Sequence, residues 1–274
     1  MTIEASDILS DGYVRLYRQR TDIPFIPENI LNIEVAFHSL PRLHAVFASV
    51  TKKEAELSAQ MPFAWNPEFG YVTSRPEFCG TGLEISAMLH LEGLHLIGDL
   101  DSTLNALYGL RMRCLGCDGD GLRNAAHIFR ITNASMLGIE ERDIVSRTGR
   151  VFSDLVQQET NARIRLVEEM PRVFEDAISR SIAILKSCRL LSEVEFLDII
   201  SPLRIAAELD FLDNFTREEA LSLMRARIDL PQSPAPCSFE EQKEKDKRDA
   251  ALADKVNRRF KSVRLNARGK DWLS

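Results

Sequence analysis

The segment from Gly80 to Glu92 constrains the fold more than any other part of the chain. Gly80-Thr81-Gly82 runs straight into a strict two-residue alternation. Leu83, Ile85, Ala87, Leu89 and Leu91 alternate with Glu84, Ser86, Met88, His90 and Glu92. A period of two predicts a half-buried strand with one packed face and one polar face. The polar face is the expected place for a ligand. Leu96, Leu100, Leu104 and Leu107 then recur at helical spacing. A short strand is expected around residues 110–115, followed by a glycine-rich turn over 116–121. Hairpin-like turns are expected at Asn66-Pro67 and Asp118-Gly119. Strands and helices that succeed one another in this way predict an antiparallel sheet flanked by helices, an α+β fold.

From about Ile139 the pattern turns all-helical. Val151, Phe152, Leu155 and Val156 mark an amphipathic helix. Ser192-Glu-Val-Glu195, Thr216-Arg-Glu-Glu219 and Ser238-Phe-Glu-Glu241 read as capping boxes that open further helices. The proline-rich stretch 231–236 reads as a stiff linker. Ala253, Val256, Phe260 and Val263 form a thin apolar stripe, expected to dock a helix on its own domain. The expected organisation is an α+β domain over 1–168 and a helical extension over 169–274.

Composition sets the class. The 274 residues are 45% hydrophobic and 28% charged, a soluble globular profile. A net charge of −6 gives no case for nucleic acid. No apolar run is long enough to cross a bilayer. The polar, acidic start, Met1 to Asp7, is unlike a signal peptide. Five cysteines in a chain this long suggest reduced thiols and a cytoplasmic location. Cys114-Leu-Gly-Cys117 is a lone CxxC without a second ligand pair, so no metal site is expected.

The stretch Phe69-Gly-Tyr-Val-Thr-Ser-Arg-Pro-Glu-Phe-Cys-Gly-Thr-Gly-Leu83, continuing to Leu91, resembles the signature loop and strand of the phosphagen (guanidino) kinases. The closest resemblance is to the bacterial protein-arginine kinases. Residues 116–132 are similar to a second family motif, as are Leu104-Asn-Ala-Leu-Tyr-Gly-Leu110 and Val14-Arg-Leu-Tyr-Arg18. Residues 183–192 and 202–209 resemble a helical extension that protein-arginine kinases carry. The resemblance implies a phosphagen-kinase-like catalytic domain with a shortened N-terminal part. Only residues 19–37 separate Arg18 from His38, where the family has a long segment.

The mismatches fall on the chemistry that the resemblance implies. Phosphoryl transfer needs positive charge around the triphosphate, a metal and a positioned nucleophile. The family's phosphate-clamping arginines fall on Tyr13, Arg15, His44, Glu84 and Leu115, of which only Arg15 is arginine. The family's base falls on Leu40, and its loop cysteine on Arg75. Glu84 sets an anion where the family binds a polyanion. One contact at ~4 Å is worth about 4 kcal/mol at an effective dielectric near 20, so the reversal costs on the order of 8 kcal/mol before relaxation. A nucleotide bound at about 0.1 mM gains only around 5.5 kcal/mol. Arg75, Arg111, Arg113 and Arg123 are the candidates to offset Glu84, and an ion pair between Glu84 and Arg75 is the expected arrangement.

Three readings follow. The first is a non-catalytic binding or regulatory relative; its partner would be itself, a complete protein-arginine kinase, or the zinc-binding activator the resemblance implies. The second is an active kinase using Mg-ATP. The third is a protein that holds a nucleotide without transfer. A nucleotide, if held, would meet Arg15, Arg18, Glu84, Ser86, Met88, His90, Gly119 and Asp120. A phosphoarginine pocket implied by the resemblance would fall on Lys245, Asp246 and Arg248, where a solvated helix face is the simpler reading.

Overall fold

The computed structural model describes residues 9–116, 125–134, 137–228 and 238–273. Its centre is a five-stranded antiparallel sheet in the order β2-β1-β5-β7-β6. Strand β1 is Leu9–Gln19 and β2 is Ile30–Phe37. Helix α1, Leu43–Ser58, follows. A small hairpin, β3 (Trp65–Asn66) and β4 (Gly70–Tyr71), turns at the expected Asn66-Pro67. Strand β5 is Leu83–His90. Next come α2 (Glu92–Ile97) and α3 (Leu100–Gly109), parted by Gly98 in the left-handed region, so the leucine spacing spans two helices. Strands β6 (Met112–Gly116) and β7 (Ile128–Asn133) complete the sheet.

The alternation in β5 is realised on one face. Leu83, Ile85, Ala87, Leu89 and Leu91 pack with Val14, Leu16, Phe129 and Ile131 against Leu43 and Val50 of α1. Helix α4, Glu141–Glu168, adds Ile144, Val145, Phe152 and Leu155 to this core. The loop before β5 depends on glycine at Gly82. Its φ is +57°, and a Cβ there would lie 2.5 Å from the Tyr17 carbonyl oxygen.

Pro171 opens α5 (Pro171–Ser187), and α6 (Glu193–Glu208), α7 (Arg217–Ile228), α8 (Phe239–Phe260) and α9 (Ala267–Leu273) follow. The capping boxes are realised: Ser192, Thr216 and Ser238 accept from the backbone N–H of Glu195, Glu219 and Glu241. Ala253, Val256, Phe260 and Val263 are buried in the helical core, as the stripe implied. The stretch 231–236 and the turn at Asp118-Gly119 lie outside the described residues.

Two expectations need correction. The second half is not all-helical: β8 (Leu212–Asp213) pairs with β9 (Arg264–Leu265). Such two-residue strands carry no periodicity to read. Nor does β5 keep an open polar face. Ser86, Met88 and His90 are buried, because Met88 and Ile128 join the core made by α5–α8.

Candidate functional site

The sheet face turned away from α1 carries the candidate site, and the strand register decides who meets whom. Arg15 on β1 lies between Glu34 on β2 and Glu84 on β5. Its Nε donates to Glu34, and its Nη1 donates to Glu84 Oε1 at 3.2 Å and to Ser86 Oγ at 3.4 Å. The Tyr17 hydroxyl donates to the same Glu84 oxygen at 3.2 Å. From the other side, Arg113 of β6 reaches Glu84 Oε2 at 3.5 Å. Burial, and then the charge of Glu84, pushes the Tyr17 phenol up to about 12, so it remains a donor. Both Glu84 oxygens are engaged. The row holds two guanidiniums against two carboxylates, with no net charge left for a polyanion.

Arg75 is not the partner of Glu84. It is exposed, and its guanidinium lies 6.0 Å from the Phe78 ring centroid. Its loop leads it outward, whereas the sheet register sets Arg15 directly beside Glu84. Arg18 points to the packed face: it donates to Glu54 at 3.0 Å and to the Thr81 carbonyl at 2.9 Å, and lies over the Tyr71 ring. It thereby ties the glycine loop to α1. Leu40 packs against the sheet core, and His44 is exposed on the first turn of α1. Gly119 and Asp120 lie outside the described residues, as does Cys117. Burial pushes the Cys114 thiol up to about 11, which keeps it protonated. On α8, Lys245 donates to Asp249 and Asp246 accepts from Gln242, both at 2.6 Å, while Arg248 is exposed.

His90 belongs to a second, buried network that joins the sheet to the helices. Its Nε2 is 2.7 Å from Ser201 Oγ, and Ser201 donates to Glu92 Oε2 at 2.6 Å. Arg163 Nη2 lies 3.2 Å from His90 Nδ1. A guanidinium only donates, so Nδ1 accepts and Nε2 carries the proton. Burial and the nearby Arg204 and Arg163 hold His90 well below its usual range, which agrees with that neutral tautomer. Arg163 also donates to Glu159 and Glu208, each at 2.6 Å. Glu159 in turn accepts from the N–H groups of Gly93 and Leu94. Glu92 further meets His127 Nδ1 at 2.5 Å, and His127 stacks on His95. Burial lowers His127, but its bond to Glu92 outweighs this and leaves it above the ordinary histidine value. Sequence reasoning missed Glu34, Glu92, Glu159, Arg163 and Ser201. The charged pair four residues apart, Glu159 and Arg163, was the one local signal for this cluster.

Two family models match along the chain. The ATP:guanido phosphotransferase C-terminal catalytic domain matches residues 27–162, and the protein-arginine kinase McsB C-terminal domain matches 171–270. The chain belongs to the ATP:guanido phosphotransferase family and is protein-arginine-kinase-like within it. It is 31% identical over 183 residues to a protein-arginine kinase of Listeria welshimeri, covering 67% of this chain and 54% of the relative. It is 28% identical over 194 residues to that of Clostridium acetobutylicum, covering 71% and 54%. The chain thus spans about half the length of these relatives. Among solved structures it is similar to the duplicated taurocyamine kinase of Schistosoma mansoni, at 14% identity and a TM-score of 0.46, over 58% of this chain and 34% of that one. No helix among the described residues is long and apolar enough to cross a membrane.

Proposed function

We propose that this chain is a pseudokinase: a protein-arginine-kinase-like protein that does not transfer phosphate and works in the cytoplasm as a binding or regulatory subunit. The observation that carries this reading is Glu84. It sits mid-row with Arg15, Tyr17 and Arg113 on its two oxygens. A carboxylate there repels a phosphate, and the arginines that would attract one are already paired. The row does not fit the polyphosphate of Mg-ATP. The partner is a protein: a second copy, a complete protein-arginine kinase or a zinc-binding activator. Exposed Phe25, Trp65 and Phe69 support a protein-facing surface. Backbone bonds from Thr21 to Pro62 and from Ala64 to Gln19 hold their two segments side by side. The excess of acidic charge argues against nucleic acid.

The test is to incubate the purified protein with Mg-ATP and an arginine-rich protein, then search for phosphoarginine by mass spectrometry. None is expected, and its appearance would overturn the reading. The second reading, an active kinase with a rebuilt charge cluster, is favoured by Arg113, which brings a cation to Glu84 from β6. Calorimetric titration of Mg-ATP, with Glu84→Arg in parallel, separates the two: binding by the natural protein favours the kinase.

A further inference from the structure

We infer that β2, the edge strand of the central sheet, pairs antiparallel with β2 of a second copy of this chain and joins the two sheets into one. An edge strand presents a row of unpaired N–H and C=O groups, and proteins blunt such edges with lysine, proline, a bulge or a very short strand. Strand β2 has none of these. It runs for 8 residues, Ile-Leu-Asn-Ile-Glu-Val-Ala-Phe, with Glu34 its one charge. Its register with β1 is unbroken from Ile30 to Phe37. Among the described residues β1 is the only strand that pairs with it. The opposite edge, β6, is shorter and carries Arg113.

The apolar layer is left incompletely covered on the same side. Ile33 and Phe37 are buried, whereas Leu31 and Val35 on the same face of β2 are half-buried. Helix α1 packs on β2, and its Val46 and Phe47 are half-buried too. A strand added beside β2 would cover more of this layer. Strand and helix together offer a footprint of roughly 27 Å by 20 Å, the length of β2 by the depth of one sheet and one helix layer. Over two copies that is about 1,100 Å², just above what a specific interface needs.

The side chains argue for a second copy and for one register. A two-fold antiparallel pair keeps each face continuous, so one residue must stand opposite its own counterpart. With Ile33 in that position, Leu31 meets the second copy's Val35 on the packed face. On the other face Asn32 meets the second copy's Glu34, an amide donor beside a carboxylate, and symmetry makes this contact twice. Glu34 already accepts from Arg15, and a carboxylate has lone pairs for a further donor. The neighbouring registers are worse. With Glu34 opposite itself, like charges face each other; with Asn32 opposite itself, Glu34 meets Ile30. Strand β2 thus complements itself in charge and in apolar pattern, which favours a second copy over an unrelated strand.

This inference rests on the binding-subunit reading, for which it names the partner, and its test reads no turnover. Sedimentation of the full chain is followed from low to high micromolar concentration, and a monomer–dimer equilibrium is expected. Asn32→Asp sets carboxylate against carboxylate twice across the axis and should raise the dimer Kd at least tenfold. Asn32→Lys sets an ammonium beside the same carboxylates and should lower it. Asn32 is exposed, so both variants should keep the fold, which circular dichroism and Tm check. Arg180→Gln, on the exposed side of α5, should leave the Kd unchanged. A chain that stays monomeric throughout, whether or not another protein's strand pairs with it, would overturn the inference. So would a dimer that Asn32→Asp does not weaken, or one that the two Asn32 variants shift in the same direction. Phosphoarginine formation, in contrast, would overturn the pseudokinase reading without altering the sedimentation result.

Discussion

Replacing Arg163 by methionine should destabilise the protein strongly at neutral pH and less so in mild acid. Arg163 is fully buried and holds two buried carboxylates, Glu159 and Glu208, at 2.6 Å each. Breaking a buried pair by deleting one partner costs about 3–5 kcal/mol, because the remaining charge stays buried. Two carboxylates lose a partner here, but each keeps some support. Glu159 retains the N–H groups of Gly93 and Leu94 at 2.8 and 2.9 Å, and Glu208 retains Arg204 at 3.3 Å. The expected loss is therefore about 3–5 kcal/mol in total rather than for each pair. The pH dependence follows from Glu159. Burial already raises its pKa against the pull of Arg163, and losing Arg163 raises it further. A carboxyl whose folded pKa exceeds its unfolded value binds more protons when folded, so stability rises as pH falls through the folded pKa. The gap between variant and natural protein should narrow between about pH 8 and about pH 5.5, still above the unfolded glutamate value near 4.3. Urea unfolding followed by circular dichroism at both pH values measures it. A loss under about 1 kcal/mol at the higher pH, or the same loss at both, would refute the reasoning.

Three further outcomes are expected. Ser201→Ala removes the hydroxyl that links His90 to Glu92 and should cost about 1–3 kcal/mol in urea unfolding, since both partners are buried. Glu84→Gln removes the negative charge that Arg15 and Arg113 meet on β5 and should cost about 1–2 kcal/mol by the same measurement. His127 has a raised pKa, so it contributes stability below the unfolded histidine value that is lost as pH rises through its folded value. His90 is lowered and acts oppositely, losing stability as pH falls below the unfolded value. Tm measured against pH should therefore decline more steeply on the acid side in His127→Gln than in the natural protein.

Much of the fold could be read in the chain because its signals are local. The period of two in β5, the three capping boxes and the stripe from Ala253 to Val263 each need only neighbouring residues. The contents of the site could not be read this way. Arg15 meets Glu84 because β1 lies antiparallel to β5 in one particular register. A shift of one residue would send Arg15 to the packed face and Arg18 to the open one. The polar side of β5 suggested an accessible ligand face, yet its His90 end is sealed by Ser201, which no nearby residue foretells. The expected Glu84–Arg75 pair failed for the same reason: both residues border the glycine loop in sequence, but the cross-strand ladder sets distance in space.

The bond between His90 and Ser201 has a consequence for biosynthesis. The two residues are 111 positions apart. At about 5–20 residues per second, roughly 5–20 s pass on the ribosome between the addition of one and of the other. Over that interval β5 can pair with its neighbours and bury its apolar face, while the side of His90 and Glu92 that Ser201 will cover still faces water. The sheet is closed only when α6 arrives, so a stall in translation between these points would leave a paired but unsealed sheet. Quality control would meet that nascent species first.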